Sequence, residues 1–343
     1  MIDTRFYNIK HDATISNICE ILGCDIPKKI NPNKIIKGIA KLEDATNDDI
    51  TFFHNSKYSK DLEKTKACAC LIKDSDKHLL SKNVAPIIVS EPYYSLALLL
   101  MYFYEPKGYK TECEETYISP NANVSKNASI GKGCYISDFV TIGDGAIIKD
   151  NTIIGKSSTI REGVEIGENS RIEPNVTIGF SIIGPKAYIK TGARIGQPGF
   201  GFFVGNAGPV DVLQIGRVII GRDVQIGANC TIDRGSMGDT IIGHMVRMDD
   251  MVHIAHNVHI GDGCVIAAQC GIAGSTTLGK GCFLGGQVGI AGHLKIGDRV
   301  TIAAQSGVMN DIESGRKIGG TPATGIISWH KQSVALRKLI ERK

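Results

Sequence analysis

From Ile118 onward an aliphatic residue recurs at every sixth position, and a Gly or other small residue often follows it. The series runs Val124, Ile130, Ile136, Ile142, Ile148, Ile154, Ile160, Ile166, Ile172 and Ile178. After a gap it returns at Ile242 and continues through Met248, Ile254, Ile260, Ile266, Ile272, Leu278, Leu284, Ile290, Ile296, Ile302 and Val308. A period of six fits neither the helical nor the ordinary strand repeat. It is the signature of a β-solenoid whose short flat faces are joined by tight turns. If three hexads make one coil of triangular section, residues eighteen apart stack directly. About ten coils at ~4.8 Å each give a prism roughly 50 Å long. The hexad aliphatics fill its interior, so any ligand must bind outside. The expected fold class is mainly β.

The repeat divides the chain. Residues 1–112 lack the hexad and read as a small α/β domain. Within it, Thr14 to Leu22 and Pro92 to Tyr104 read as helices, the second with Pro near its start and ending before Glu105-Pro106. Ala67 to Ile72 and Ala85 to Val89 read as short buried strands. Cys68 and Cys70 alternate with alanine, which suits one face of such a strand. Residues 113–318 form the solenoid and 319–343 a terminal amphipathic helix. On that helix Trp329, Leu336, Leu339 and Ile340 share one face, opposite Lys331, Lys338 and Arg342. The hexad phase slips by one between Ile178 and Ile183. A Gly-, Phe- and Pro-rich stretch from Gln197 to Gln214 interrupts it and is expected to form an external loop, with coils resuming at Ile215 and Ile220. Ile232 and Ile242 are ten apart, so Asp233 to Asp239 hold a four-residue insertion.

Charge and composition narrow the partners. The net charge of +4 is too small to argue for nucleic acid, and the basic tail from 331 to 343 by itself equals that excess. The longest apolar run, Leu96 to Tyr104, is too short for a bilayer, which needs ~20 residues. No basic segment followed by an apolar stretch opens the chain, so no secretory signal is expected. The ten cysteines contain no CxxC pair and read as reduced, buried thiols of a cytoplasmic protein.

The eighteen-residue column singles out one site. Ile254-Ala255-His256 stacks under Ile272-Ala273-Gly274, which stacks under Ile290-Ala291-Gly292. Two glycines thus leave bare backbone above one imidazole, and exposed N–H groups there can stabilise an oxyanion. His293, beside Gly292, stands two coils above His256, on the order of 10 Å away within one chain. Asp249 and Asp250 lie one hexad before His256, and an acidic partner can hold an imidazole in its basic tautomer. A base, an amide donor and a second cation-capable ring make a constellation for acyl transfer. His11, His78, His244 and His330 are expected to be solvated. His253, His256 and His259 read HxxHxxH, but His253 and His259 fall on different faces. They can share a metal only across a subunit interface.

These residues resemble the hexapeptide-repeat acyltransferases, and within them the family of UDP-3-O-acylglucosamine N-acyltransferases of lipid A biosynthesis. The resemblance covers nearly the whole chain. It rests on Ile254-Ala255-His256-Asn257, on Thr231-Ile232-Asp233-Arg234-Gly235, on Gln214 through Gly221, on Gly292-His293 and on Phe200-Gly201-Phe202. The stretch from Ile50 to Tyr58 carries it in the N-terminal domain. It implies a left-handed parallel β-helix that trimerises with active sites between subunits, in the cytoplasm of a Gram-negative bacterium. It also implies transfer of a 3-hydroxyacyl group from acyl carrier protein to the glucosamine 2-amine, with no cofactor beyond the carrier's phosphopantetheine thioester and no metal. On that reading His256 is the general base and Asp249 orients or polarises it. Gly274 offers the oxyanion amide, and His293 contacts the sugar-nucleotide phosphate or assists at the oxyanion. Asp250 also falls among the substrate-binding residues. Phe52, Asn55 and Tyr58 hold the uracil ring, and Lys331, Lys338 and Arg342 meet the acidic carrier. Three positions depart from the family pattern: Asp250 replaces a common Asn, Pro198 an Asp of the Phe-rich loop, and Ser56 a frequent Pro. Two other readings share the solenoid. The O-acyltransferases of UDP-N-acetylglucosamine generally lack the N-terminal domain, and a non-catalytic scaffold would show no preference for histidine beneath a glycine channel.

Overall fold

The computed structural model describes residues 2–10, 13–108, 114–206, 208–321 and 325–341. It falls into two compact units, residues 1–109 and 110–343. The expected boundary between 112 and 113 lies outside the described residues, as do His11 and Arg342.

In the first unit a four-stranded parallel sheet is ordered Gly38–Ile39, Asp49–Phe52, Ala69–Ile72, Ala85–Ile88. Helix α1 (Ile15–Leu22) starts on a capping box, in which Thr14 and Asn17 exchange side-chain and backbone hydrogen bonds. It stops at Gly23, whose φ of 63° suits the left-handed cap. Two short helices follow, α2 (Ser59–Lys64) and α3 (Pro92–Phe103), the latter with Pro at its first turn. Leu96, Leu99 and Phe103 of α3 pack with Ile50, Cys68, Ala69 and Leu71. Cys70 and Ile72 pack on the other side with Phe53 and Leu62. Cys68 and Cys70 therefore do not share one face. The strand is buried on both sides, as strands of a parallel sheet are.

The second unit is a β-solenoid with three parallel faces of 10, 9 and 11 strands. Along the ten-stranded face the aliphatics pair Val124↔Ile142↔Ile160↔Ile178, and later Ile254↔Ile272↔Ile290↔Val308. The eighteen-residue stack is thus the hydrogen-bond register itself. Nearly all of these aliphatics are buried in one continuous core, each worth about 1.5–3 kcal/mol of apolar burial. The third residue after the aliphatic turns most corners in the left-handed region, as at Asn151, Asn257, Gly263 and His293. This is why Asn and Gly recur there.

The aliphatic pairing survives both interruptions, with a bulge between Ile195 and Gln197 at the loop. Ile195 pairs with Ile232 across the loop, and Ile232 with Ile254 across the insertion. The loop carries its own hairpin, Phe202–Gly205 against Gly208–Asp211. Coils resume at Val218–Ile220 and not at Ile215, which is 66% exposed. Ile215 reads as a hexad residue by spacing, but its N–H is bonded to the carbonyl of Ser236 in the insertion, outside the ladder. The chain continues into α4 (Ile326–Glu341), a helix with no buried residue. No helix among the described residues is long and apolar enough to cross a membrane. Nine described cysteines are free thiols, all buried except the half-buried Cys24.

Candidate active site

His256 lies at the corner that follows the strand His253–Ile254 on the ten-stranded face. Its ring is gripped from two sides. A Cβ on Gly274, one coil above, would come within 2.7 Å of Cε1 and 2.8 Å of Nε2. A Cβ on Gly199, in the external loop, would come within 2.9 Å of Cβ and Cδ2. Only glycines leave room for an imidazole here. The Nδ1 atom faces the Asn257 Oδ1 at 3.1 Å. That same oxygen accepts from the backbone N–H of Ser236 (2.9 Å) and from its hydroxyl (2.7 Å). Two donors from the insertion identify this atom as the amide's acceptor end. Nδ1 must then carry the proton, which leaves the Nε2 lone pair free as a base.

The site opens on a groove of about 520 Å³ along the ten-stranded face, lined by Phe200, Asp233, His253, His256, Gly274 and Met309 among others. Its floor is the column Gly271, Gly289 and Gly307, directly above His253 in the ladder. A Cβ on any of these three would meet nothing within 4 Å. The fold does not need glycine there; its effect is to leave a smooth apolar channel. The N–H of Gly274 makes no hydrogen bond among the described residues, whereas its carbonyl accepts from the N–H of His293 at 3.0 Å.

The carboxylate near the imidazoles is Asp233, 4% exposed. Its Oδ1 accepts from the Gln197 amide at 2.9 Å, and its Oδ2 lies 3.8 Å from His253 Nε2. Burial pushes this carboxyl up, against the lowering pull of Gln197, His253 and His256. His253 also bonds the Thr231 hydroxyl through Nδ1 at 2.7 Å.

Asp249 and Asp250 are not at this corner. They follow the strand Arg247–Met248 of the eleven-stranded face, one corner earlier in the coil. The expectation that Asp249 orients His256 is therefore corrected within one chain: Asn257 holds the ring, and Asp233 is the nearby charge. The reason is the hexad itself, which turns the chain onto a new face every six residues. Asp250 instead accepts from the Ala228 N–H at 2.7 Å, as Asp262 and Asp298 do for the turns of the coils next to theirs. His293 stands at the His256 corner two coils above, exposed and with φ of 62°, outside the groove walls. His253 and His259 lie on different faces. His244 is not simply solvated; its Nδ1 accepts from the Arg222 N–H at 3.0 Å.

In the first unit Phe52 and Tyr58 line one pocket of about 340 Å³ with Lys41, Leu42, His54 and Asp61. Asn55 does not line it; its Oδ1 accepts from the Lys57 N–H and caps the short helical turn Ser56–Tyr58. His54 stacks on Phe52 with centroids 5.4 Å apart and lies 5.2 Å from Tyr93. Lys331 and Lys338 are exposed on α4.

Counting along the sequence passed over Gly199, Asp233, Arg234, Ser236 and the groove glycines as site residues, and assigned Asn257 no role. The glycine floor was available by stepping eighteen from His253. Gly199 and Ser236 were not, because both sit in segments that break the repeat.

Residues 33–102 match the family model for UDP-3-O-(3-hydroxymyristoyl) glucosamine N-acyltransferase. Residues 145–180 and 239–274 match the bacterial transferase hexapeptide model. The UDP-3-O-acylglucosamine N-acyltransferase 2 of Legionella pneumophila (strain Paris) is 46% identical over 96% of this chain and 94% of its own length. The UDP-3-O-acylglucosamine N-acyltransferase of Rickettsia peacockii (strain Rustic) is 47% identical over 99% and 98%. Among solved structures, an Arabidopsis UDP-N-acetylglucosamine acyltransferase superposes with a TM-score of 0.53 at 24% identity, covering 60% of this chain and 71% of that one. It shares the fold alone. The solenoid is the left-handed parallel β-helix of hexapeptide-repeat proteins.

Proposed function

The chain belongs to the UDP-3-O-acylglucosamine N-acyltransferase family, and from that premise we propose that it moves a 3-hydroxyacyl chain from acyl carrier protein to the 2-amine of UDP-3-O-acylglucosamine, with His256 as general base. The chain is an acyltransferase acting on that UDP-sugar lipid; the donor and the base are the finer reading. The observation that carries it is the imidazole held between two glycines with Nδ1 tied to Asn257, at the mouth of an apolar groove.

On this reading the amine attacks the thioester carbonyl as Nε2 of His256 takes its proton. The N–C bond forms, and the carbonyl pair moves onto oxygen near the Gly274 N–H. Collapse of the tetrahedral species breaks the C–S bond, and the proton held on Nε2 passes to the leaving thiolate. The products are the amide and the free carrier thiol. A thioester is already activated, so the step calls for no Lewis acid. Asp233 stabilises the transient imidazolium across the groove. The acyl chain lies along Gly271, Gly289 and Gly307. Phe52, Tyr58 and Asn55, the last through its NH₂, hold the uracil. His293, exposed at the same corner, meets the sugar-nucleotide phosphate. The basic residues of α4 meet the acidic carrier, and a homotrimer completes each site in the cytoplasm.

Incubation with acyl carrier protein thioester and UDP-3-O-acylglucosamine should yield the diacyl product. His256→Ala should lower kcat by about 10²–10⁴-fold. Unimpaired turnover in that variant would remove His256 as the base.

A further inference from the structure

We infer that Arg234 is a positioning residue for the transfer: it anchors the external loop whose Gly199 closes over His256. The inference rests on the reading of His256 as the base.

Arg234 is a buried cation with no counter-charge among the described residues. It is 8% exposed and makes no ion pair among the described residues. A charge so placed is costly unless hydrogen bonds and ring contacts offset its burial. Two of its donors go to the loop. Nε donates to the Gln214 carbonyl at 2.8 Å and a terminal nitrogen to the Gly196 carbonyl at 3.0 Å. Its guanidinium carbon sits 4.0 Å from the centre of the Phe180 ring. Residues 196 and 214 are the two stems of the loop, so one guanidinium clasps both. The same dipeptide adds two more ties to the entering stem: Arg234 N–H to the Gln197 carbonyl (2.9 Å) and Asp233 to the Gln197 amide (2.9 Å). Gly196 turns beneath it with φ of 82°, where a Cβ would fall 1.6 Å from the Gly179 carbonyl oxygen.

Backbone bonds from Ile215 to Ser236 and from Gly216 to Gly235 also hold the leaving stem, but the loop's apolar side chains contribute little. Phe200, Phe203, Val210 and Leu213 are all more than 60% exposed. The loop therefore has no apolar core of its own, and its position over His256 is set at its stems. Only arginine suits this position. Two carbonyls and a ring face need a planar fork with donors at fixed angles, which a lysine ammonium lacks. The insertion that carries Arg234 also carries Ser236, which orients Asn257. The two breaks in the repeat thus meet at one imidazole, the loop through Gly199 and the insertion through Asn257.

The test is a double-mutant cycle on the full-length protein, Arg234→Lys against Gly199→Ala, with thermal melts to confirm folding. Gly199→Ala alone pushes a methyl into the His256 ring, and Arg234→Lys alone releases the loop. Each should lower kcat about tenfold or more, the scale of a small misplacement at a reacting centre. In the double variant the costs should not add, since a released loop no longer presses on the ring. Additive costs would mean that Arg234 acts only on stability and would overturn the proposal. Limited chymotrypsin digestion supplies a readout independent of turnover. Cleavage at Phe202 or Phe203 should speed up at least tenfold in Arg234→Lys and stay unchanged in His256→Ala. Unchanged loop cleavage in Arg234→Lys overturns the anchor by itself. Full turnover in His256→Ala overturns the base reading by itself and leaves the cleavage test standing.

Discussion

The Asn257 side-chain oxygen faces His256 Nδ1 at 3.1 Å while accepting two hydrogen bonds from Ser236. This neutral pair does what a carboxylate does elsewhere: it fixes the imidazole tautomer. Asn257→Leu should lower kcat by on the order of 10–10²-fold with little change in KM for either substrate, because the base is misoriented and not removed. Asn257→Asp should recover part of the loss, since a carboxylate still accepts from Nδ1. Steady-state kinetics of both variants check this; equal kinetics in the Leu variant and the native chain would deny the tautomer role.

Gly274 makes room for the ring. Its N–H makes no hydrogen bond among the described residues, and a Cβ would stand 2.7 Å from His256 Cε1. Gly274→Ala should leave the melting temperature within a few degrees, as the collision is with a side chain at the surface groove. It should reduce kcat by tenfold or more. A crystal structure of the variant should show the imidazole turned away from Asn257.

The groove floor sets how much acyl chain fits. Gly289 faces open space, so Gly289→Leu is accommodated by the fold and intrudes only on the ligand. The preferred donor should shorten. Each methylene displaced from the groove costs about 0.8 kcal/mol, or about fourfold in kcat/KM. Ranking donors by chain length in the variant and the native chain measures the shift; an unchanged ranking would place the acyl chain elsewhere.

Asp233 links the site to stability. Burial raises its carboxyl above the ordinary range. A raised folded value gives a contribution that is fully present below the unfolded value of about 3.9 and is lost as pH rises through the folded value. Asp233→Asn removes that loss. The variant should melt higher than the native chain near pH 7, with the gap closing toward pH 4. Melting curves across that range decide it, and a gap independent of pH would show that the carboxyl does not titrate with folding.

Docking of the carrier is an electrostatic prediction. Lys331 and Lys338 are solvent-exposed on α4. Reversing both to Glu should raise the KM for acyl carrier protein severalfold at low salt, and the effect should fade near 1 M salt, where the Debye length is about 3 Å. Unchanged KM at low salt would remove this helix from the docking surface.

The solenoid was legible from spacing because its hydrogen-bond register repeats the sequence period. Ile254 pairs with Ile272 and Ile290, eighteen residues at a time. Counting along the chain therefore placed His256 beneath Gly274 and put His253 and His259 on separate faces. It could equally have marked Gly271, Gly289 and Gly307 as a floor. The same counting set Asp249 beside His256, whereas within one chain it lies one corner earlier, because proximity in sequence is not proximity on a prism that turns every six residues. It also took Ile215 for a core aliphatic. What the tertiary structure decided lies in the two segments without a repeat. The loop and the insertion have no period to convert into position; their places come from close backbone approach at Gly196 and from the Arg234 clasp. They bring Gly199 to the His256 ring, Ser236 to the Asn257 amide that holds it, and Asp233 beside His253. Periodic local geometry gave the column in which that imidazole stands, and non-local hydrogen bonding decided which groups hold it there.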